Sequence, residues 1–189
     1  MPHSTVGSRM KVTALPLRAR IMSKSNLENA LQNTIGIEDI LTLAKDSPAA
    51  DLFELLYSEE GHIARNAAWA LTHKTSKEVR TLPQDRLVDL ALATPDTSLR
   101  RLLLRLIECQ GIPSDEIRTD LLDFCLKHMV MLEEPPGVQA LCMKLAHSMC
   151  SHYPELQHEF DATLNMMHTE YYKPGVRHQI KKLKKDVKT

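Results

Sequence analysis

Residues 62–74 read HIARNAAWALTHK, and the pattern they carry organises the rest of the chain. A small or apolar residue, then a basic or amide residue, then a leucine six positions further on appear here as Ala64, Arg65 and Leu71. The same arrangement returns as Leu99, Arg100 and Leu106, as Val138, Gln139 and Leu145, and as Val176, Arg177 and Leu183. Positions 65, 100, 139 and 177 are separated by 35, 39 and 38 residues. A period in this range predicts a solenoid: one helical pair cannot bury its apolar face alone, and stacked copies build a continuous core.

Composition agrees. The 189 residues are 43% hydrophobic but only 4% aromatic, with 6 glycines. That mixture suits helix-on-helix packing better than a β-sandwich and leaves few tight hairpins. The four cysteines, Cys109, Cys125, Cys142 and Cys150, sit in apolar helical runs and form no C-x-x-C pair, which predicts buried thiols in a reducing, cytoplasmic setting. No apolar run reaches membrane-spanning length, and the N-terminal stretch lacks the apolar segment of a secretory signal.

The net charge is zero but unevenly placed. Residues 1–24 carry Arg9, Lys11, Arg18, Arg20 and Lys24 without an acid, and show neither helical nor strand periodicity. Three readings fit them: a disordered basic tail, a start upstream of a natural Met22, or a targeting or nucleic-acid arm. Residues 25–189 are expected to form the repeat domain. Two short helices near 26–33 and 37–45 act as its N-terminal cap, because a solenoid needs a terminal unit with one wettable side.

Four units then follow, at about 49–80, 83–112, 114–152 and 154–186. Each is expected to hold a first helix, a turn bearing Pro, Gly or Asp, and a second helix. First helices are predicted at about 49–58, 83–93, 114–132 and 154–168, the third longer than the others. Second helices are predicted at about 63–74, 98–110, 138–152 and from 176 into the lysine-rich end. Gly111 followed by Pro113 supplies C-cap chemistry.

The unit of apolar helix, turn and V-R-x-x-A-x-x-A-L resembles the HEAT repeat and its armadillo relatives. It stands here as Ala64-Arg65-Asn-Ala-Ala-Trp-Ala70-Leu71 and more loosely as Val176-Arg177-His-Gln-Ile-Lys-Lys-Leu183. The resemblance covers about residues 49–185 and implies an all-α, right-handed αα-superhelix of about four pairs, with the second helices lining its concave side. The third copy carries Gln139 where that family favours an arginine ladder.

Counting from the Arg/Gln position at 100° per residue, offsets −1, +2, +3 and +6 fall on one side and are mainly apolar. Offsets +1, +5 and +8 fall opposite. They give Asn66, Ala70 and His73; Arg101, Arg105 and Glu108; Ala140, Lys144 and His147; His178, Lys182 and Lys185. Five of these twelve are Lys or Arg and one is acidic, so the resemblance turns them into a partly basic groove. Trp69, at the border of core and groove, reads either as an inter-repeat packing residue or as a groove-floor anchor.

The candidate partner-binding residues are therefore Asn66, Trp69, His73, Arg101, Arg105, Lys144, His147, His178, Lys182 and Lys185. Cys142, His147, Cys150 and His152 lie close in sequence, but core thiols with exposed imidazoles account for them better than a zinc site. The Tyr171–Tyr172 pair is expected to fill its turn, and His62 to lie on the surface. G-x-x-x-x-G-K-[ST], G-x-S-x-G and H-E-x-x-H are all missing from the sequence. The expected function is a non-enzymatic interaction module for an acidic protein or peptide, with no metal and no cofactor. The alternative is a nucleic-acid-binding protein similar to the alkylated-base DNA glycosylases of this fold, which would want several groove aromatics and a carboxylate.

Overall fold

The structure is a computed structural model that describes residues 24–33, 36–113 and 117–186. The expectations for the basic stretch 1–24 lie outside it, apart from Lys24, which opens the first helix. Two short helices come first, α1 (Lys24–Gln32) and α2 (Ile37–Asp46). In the first pair α3 (Ala49–Glu54) tightens into a 3-10 turn at Leu55–Tyr57 before α4 (Gly61–Thr72). A one-turn helix, α5 (Ser76–Val79), leads to the second pair, α6 (Gln84–Ala93) and α7 (Thr97–Gln110). The third pair is α8 (Thr119–Val130) with α9 (Pro136–Cys150). In the fourth, α10 (Pro154–Met166) and α11 (Pro174–Asp186) flank a 3-10 turn at Thr169–Tyr171. No strand occurs among the described residues.

The second helices pack side by side in chain order, α4 on α7, α7 on α9 and α9 on α11, while neighbouring first helices touch far less. The second helices thus form one closely packed layer, called the inner layer below, and the first helices a looser outer layer. All sixteen residues at offsets −1, +2, +3 and +6 are buried, from Ala64, Ala67, Ala68 and Leu71 in α4 to Val176, Gln179, Ile180 and Leu183 in α11. Leu71, Leu106, Leu145 and Leu183 thus occupy equivalent core sites, as the repeat requires.

Each repeat is also tied to the next by polar contacts. In the inner layer Arg65 Nη1 meets Asp96 Oδ2 at 2.5 Å. Asp96 is the N-cap of α7, accepting from the Ser98 and Leu99 N–H groups at 2.9 and 3.1 Å. Burial works against its charge, but the Arg65 guanidinium and these two N–H groups hold its carboxyl below the usual range. In the outer layer Arg86 reaches Glu54 at 3.2 Å and lies over the Phe53 and Tyr57 rings. Arg118 spans Asp85, Asp89 and Asp120. The Tyr172 hydroxyl donates to the Val130 carbonyl at 3.1 Å, so this tyrosine fastens the fourth repeat to the third rather than merely filling its turn.

The arginine ladder has one rung. An aspartate four residues before the key position exists only as Asp96; Pro135 and Lys173 stand at the corresponding places. Arg100, without a carboxylate to reach, donates instead to the Ala91 and Thr94 carbonyls at the end of its own first helix and lies over the Phe124 ring. Gln139 does the same job with an amide, donating to Met131 O at 2.7 Å and Met129 O at 3.4 Å. Both side chains satisfy carbonyls that a helix end leaves without intrahelical partners.

Two elements differ from expectation. Gly111 does cap α7 at φ 78°, as read. α8, however, begins at Thr119 rather than 114 and is no longer than α10. Arg118 adopts an extended N-cap conformation there, with its guanidinium drawn to Asp120 and across to α6. α5 was not anticipated, although Thr75 and Glu78 form a capping box: Thr75 Oγ1 accepts from the Glu78 N–H while Glu78 accepts from the Thr75 N–H.

Leu106, fully enclosed at the repeat interface, should on replacement by alanine cost about 2–5 kcal/mol in urea unfolding, as large-to-small core changes do. The Thr75 hydroxyl, and then Lys74, hold the Glu78 carboxyl down from 4.5 to about 2. Its stabilising contribution is therefore complete above pH 4.5 and fades as pH falls toward 2. The stability difference between wild type and Glu78→Gln should be small and should shrink across that acid window.

Candidate functional site

Because α7 is flanked by α4 and α9 and backed by α6, only a narrow strip of it faces solvent. Arg101 and Arg105, one turn apart, occupy that strip. A cavity of about 320 Å³ opens here, bordered by Trp69 and Thr72 from α4, Arg101, Leu102 and Arg105 from α7, and Gly137 and Leu141 from α9. A second cavity of about 280 Å³ adjoins it and is lined by Arg65, Asn66, Trp69, Arg101 and Leu102. Trp69 is half-buried and borders both. Its backbone carbonyl accepts from the Thr72 hydroxyl at 2.7 Å.

Of the residues read from the sequence, the structure brings together Asn66, Trp69, Arg101 and Arg105. Asn66 is already engaged, since its amide donates to the Leu31 carbonyl at 2.9 Å at the end of α1. The cap helix thus lies against the flank of α4, and Ala70, expected on the groove side, is fully buried. His73 is exposed just beyond α4, its ring 6.5 Å from that of Trp69.

Lys144 belongs to the same face through Glu108, which pairs with Arg105 one turn away and with Lys144 Nζ at 3.4 Å on the next helix. The lone acid of the strip therefore offsets two of its cations. His147 turns toward the outer layer, its ring 5.6 Å from that of Phe160 in α10. His178, Lys182 and Lys185 are exposed on α11 and line neither cavity. On that helix Arg177, Lys181, Lys182 and Lys184 form no ion pair among the described residues.

The cysteines lie elsewhere. Cys125, Cys142 and Cys150 are buried and free, and Cys109 is partly so. A hydrogen bond to Cys142 and burial hold the Cys125 thiol well above its ordinary value, and burial pushes Cys150 up to about 11. Thiols so disposed stay protonated and unreactive at neutral pH. Among the described residues no three His, Cys, Asp or Glu side chains converge as a metal site, and no helix is long and apolar enough to cross a membrane.

This stack of helical pairs agrees with what comparison shows: the HEAT repeat domain family matches residues 24–187. The chain belongs to that family. Its match takes in α1 and α2 as well as the four pairs, so the cap is part of the HEAT repeat domain itself. No curated protein and no solved structure matches the chain. HEAT repeats commonly serve protein–protein interaction.

Sequence reasoning passed over Arg65, Leu102, Gly137 and Leu141. Leu102 and Leu141 were counted as core, and Gly137 as a turn breaker. Glu108→Gln should leave stability within about 1 kcal/mol, as exposed ion pairs contribute little. It should also leave Arg105 and Lys144 uncompensated and delay elution from a heparin column. Unchanged retention would mean that this network does not set the potential of the face.

Proposed function

We propose that this HEAT domain is a non-enzymatic interaction module whose second-helix face holds an acidic segment of a protein partner. The observation that carries the reading is the meeting of Trp69, Arg101 and Arg105 around one cavity on the exposed strip. An aromatic and an arginine beside partly covered leucines is the composition of interface hot spots, which cluster in such pockets. The unpaired cations of α11 extend the positive field along the same layer and favour fast encounter with an anionic partner. The free thiols support a reducing, cytoplasmic setting.

The nucleic-acid alternative draws less support. Base-handling sites stack their target between aromatic rings, and among the described residues only one such ring, Trp69, borders these cavities. Among the described residues no carboxylate lines either of them, whereas the glycosylase reading wants one beside the base.

Reversing Arg101 and Arg105 to glutamate tests the reading. In the variant position 105 carries a like charge beside Glu108 at i, i+3, a penalty of only about 0.2–0.5 kcal/mol, so helicity and melting temperature should hardly move. Recovery of co-purifying partners should fall sharply, and the loss should shrink as salt rises, since exposed charges are screened beyond roughly 8 Å at physiological ionic strength. A folded variant that retains every partner would place the binding surface elsewhere.

A further inference from the structure

The chemistry around Trp69 is divided in a way that says more about the partner. The floor is apolar. Leu102 and Leu141 keep 8% exposure each, the most of any core residue, and both open into the cavity beside the half-buried indole. The rim is cationic but not uniformly available, since Arg65 is held by Asp96 and Arg105 by Glu108. Arg101 has no ion-pair partner among the described residues, and it borders both cavities.

Nor is Arg101 simply loose. Its stem lies across the first turn of α9 so closely that a Cβ at Gly137 would come within 2.7 Å of Arg101 Cδ. The glycine makes room for the arginine, and the α9 backbone seats the stem so that the guanidinium stands at the cavity wall. A seated cation beside an apolar floor is preorganised, and preorganisation lowers the ordering cost of binding. At about 320 Å³ the space is at the small end for ligand cavities and suits an anchoring side chain.

We infer that this cavity is the anchor of the partner-binding face and that it takes an acidic linear segment in which a large apolar side chain neighbours a carboxylate. The apolar group rests on Trp69, Leu102 and Leu141, and the carboxylate pairs with Arg101. A purely acidic run would satisfy the arginine and leave the leucine windows wet; a neutral apolar segment would leave the guanidinium without its anion. The inference rests on the function proposed above and adds the two-part character of what is recognised.

Trp69 is the only tryptophan, so selectively excited fluorescence reports on the cavity directly. Three capped peptides serve as probes: Gly-Asp-Phe-Glu-Asp-Gly, the same peptide with alanine for phenylalanine, and the same peptide with asparagine and glutamine for the acids. The first should shift the indole emission saturably, and each of the others should bind at least about tenfold more weakly. Arg101→Gln should weaken the first peptide by about tenfold, as loss of a charge-assisted contact does. Gly137→Ala keeps every charge and exchanges glycine for a better helix former; it should weaken binding similarly by displacing the arginine, with circular dichroism and melting unchanged or slightly raised.

Equal binding of the alanine peptide would overturn the two-part anchor and leave the acidic-partner reading standing. So would failure of all three peptides while the Arg101/Arg105 reversal still abolishes partner recovery. Failure of the peptides together with a strong, saturable response to random-sequence duplex DNA would overturn both.

Discussion

The central inner helices α7 and α9 are covered on three sides, by their own first helix and by the inner helices before and after, and the cap helices complete the cover of α4. Burying three sides of a helix demands apolar or small residues over most of its circumference, and fifteen of the sixteen positions at offsets −1, +2, +3 and +6 meet that demand, the exception being the buried Gln179 of α11. While α11, at the end of the stack, keeps a wider exposed surface, only one strip of α7 and of α9 remains free to vary. Any residue that recognises a partner from the inner layer has to lie on that strip or at its edge, where Trp69 and Arg101 are found.

Charge is arranged around the same constraint. The outer layer holds its helices with arginines, Arg86 to Glu54 and Arg118 to Asp85 and Asp89, so part of the acidity seen there in the sequence is consumed in joining repeats. In the inner layer Arg65 is consumed likewise by Asp96, and Arg105 and Lys144 share Glu108. Exposed pairs of this kind add little stability individually, but they decide which cations remain available. Arg101 and several residues of α11 remain. The face is therefore positive along its length, less so at its centre, where Glu108 offsets part of the charge of Arg105 and Lys144, than on the C-terminal helix.

How far the sequence disclosed this follows from the range of each interaction. The inner-helix cores were legible because burial at fixed helical phase is a local, periodic property, and Leu71, Leu106, Leu145 and Leu183 fell where the period put them. Gly111 was legible because its cap geometry favours glycine. The capping box of Thr75 and Glu78 was legible in principle, as a T-x-x-E spacing, and was overlooked between two stronger helices. The reach of Arg118 from α8 to α6 was not legible, nor was the turning of His147 toward Phe160, because both depend on how far neighbouring helices splay. The equivalence of Gln139 and Arg100 was hidden because Gln139 was read as a departure from an arginine ladder, whereas the work at that place is to donate to helix-end carbonyls. The seating of Arg101 over Gly137 joins residues 36 positions apart, and no local pattern marks it.

The central claim is that the inner strip beside Trp69, rather than the outer arginine-laced layer, meets the partner. Site-specific photo-crosslinking in the native host tests it most directly, with the reactive amino acid placed singly at the exposed inner positions 73 and 105 and at the exposed outer positions 89 and 159. The account predicts one shared crosslinked protein from the inner positions and none of it from the outer ones. The same protein captured from positions 89 and 159, with nothing captured from 73 and 105, would contradict it.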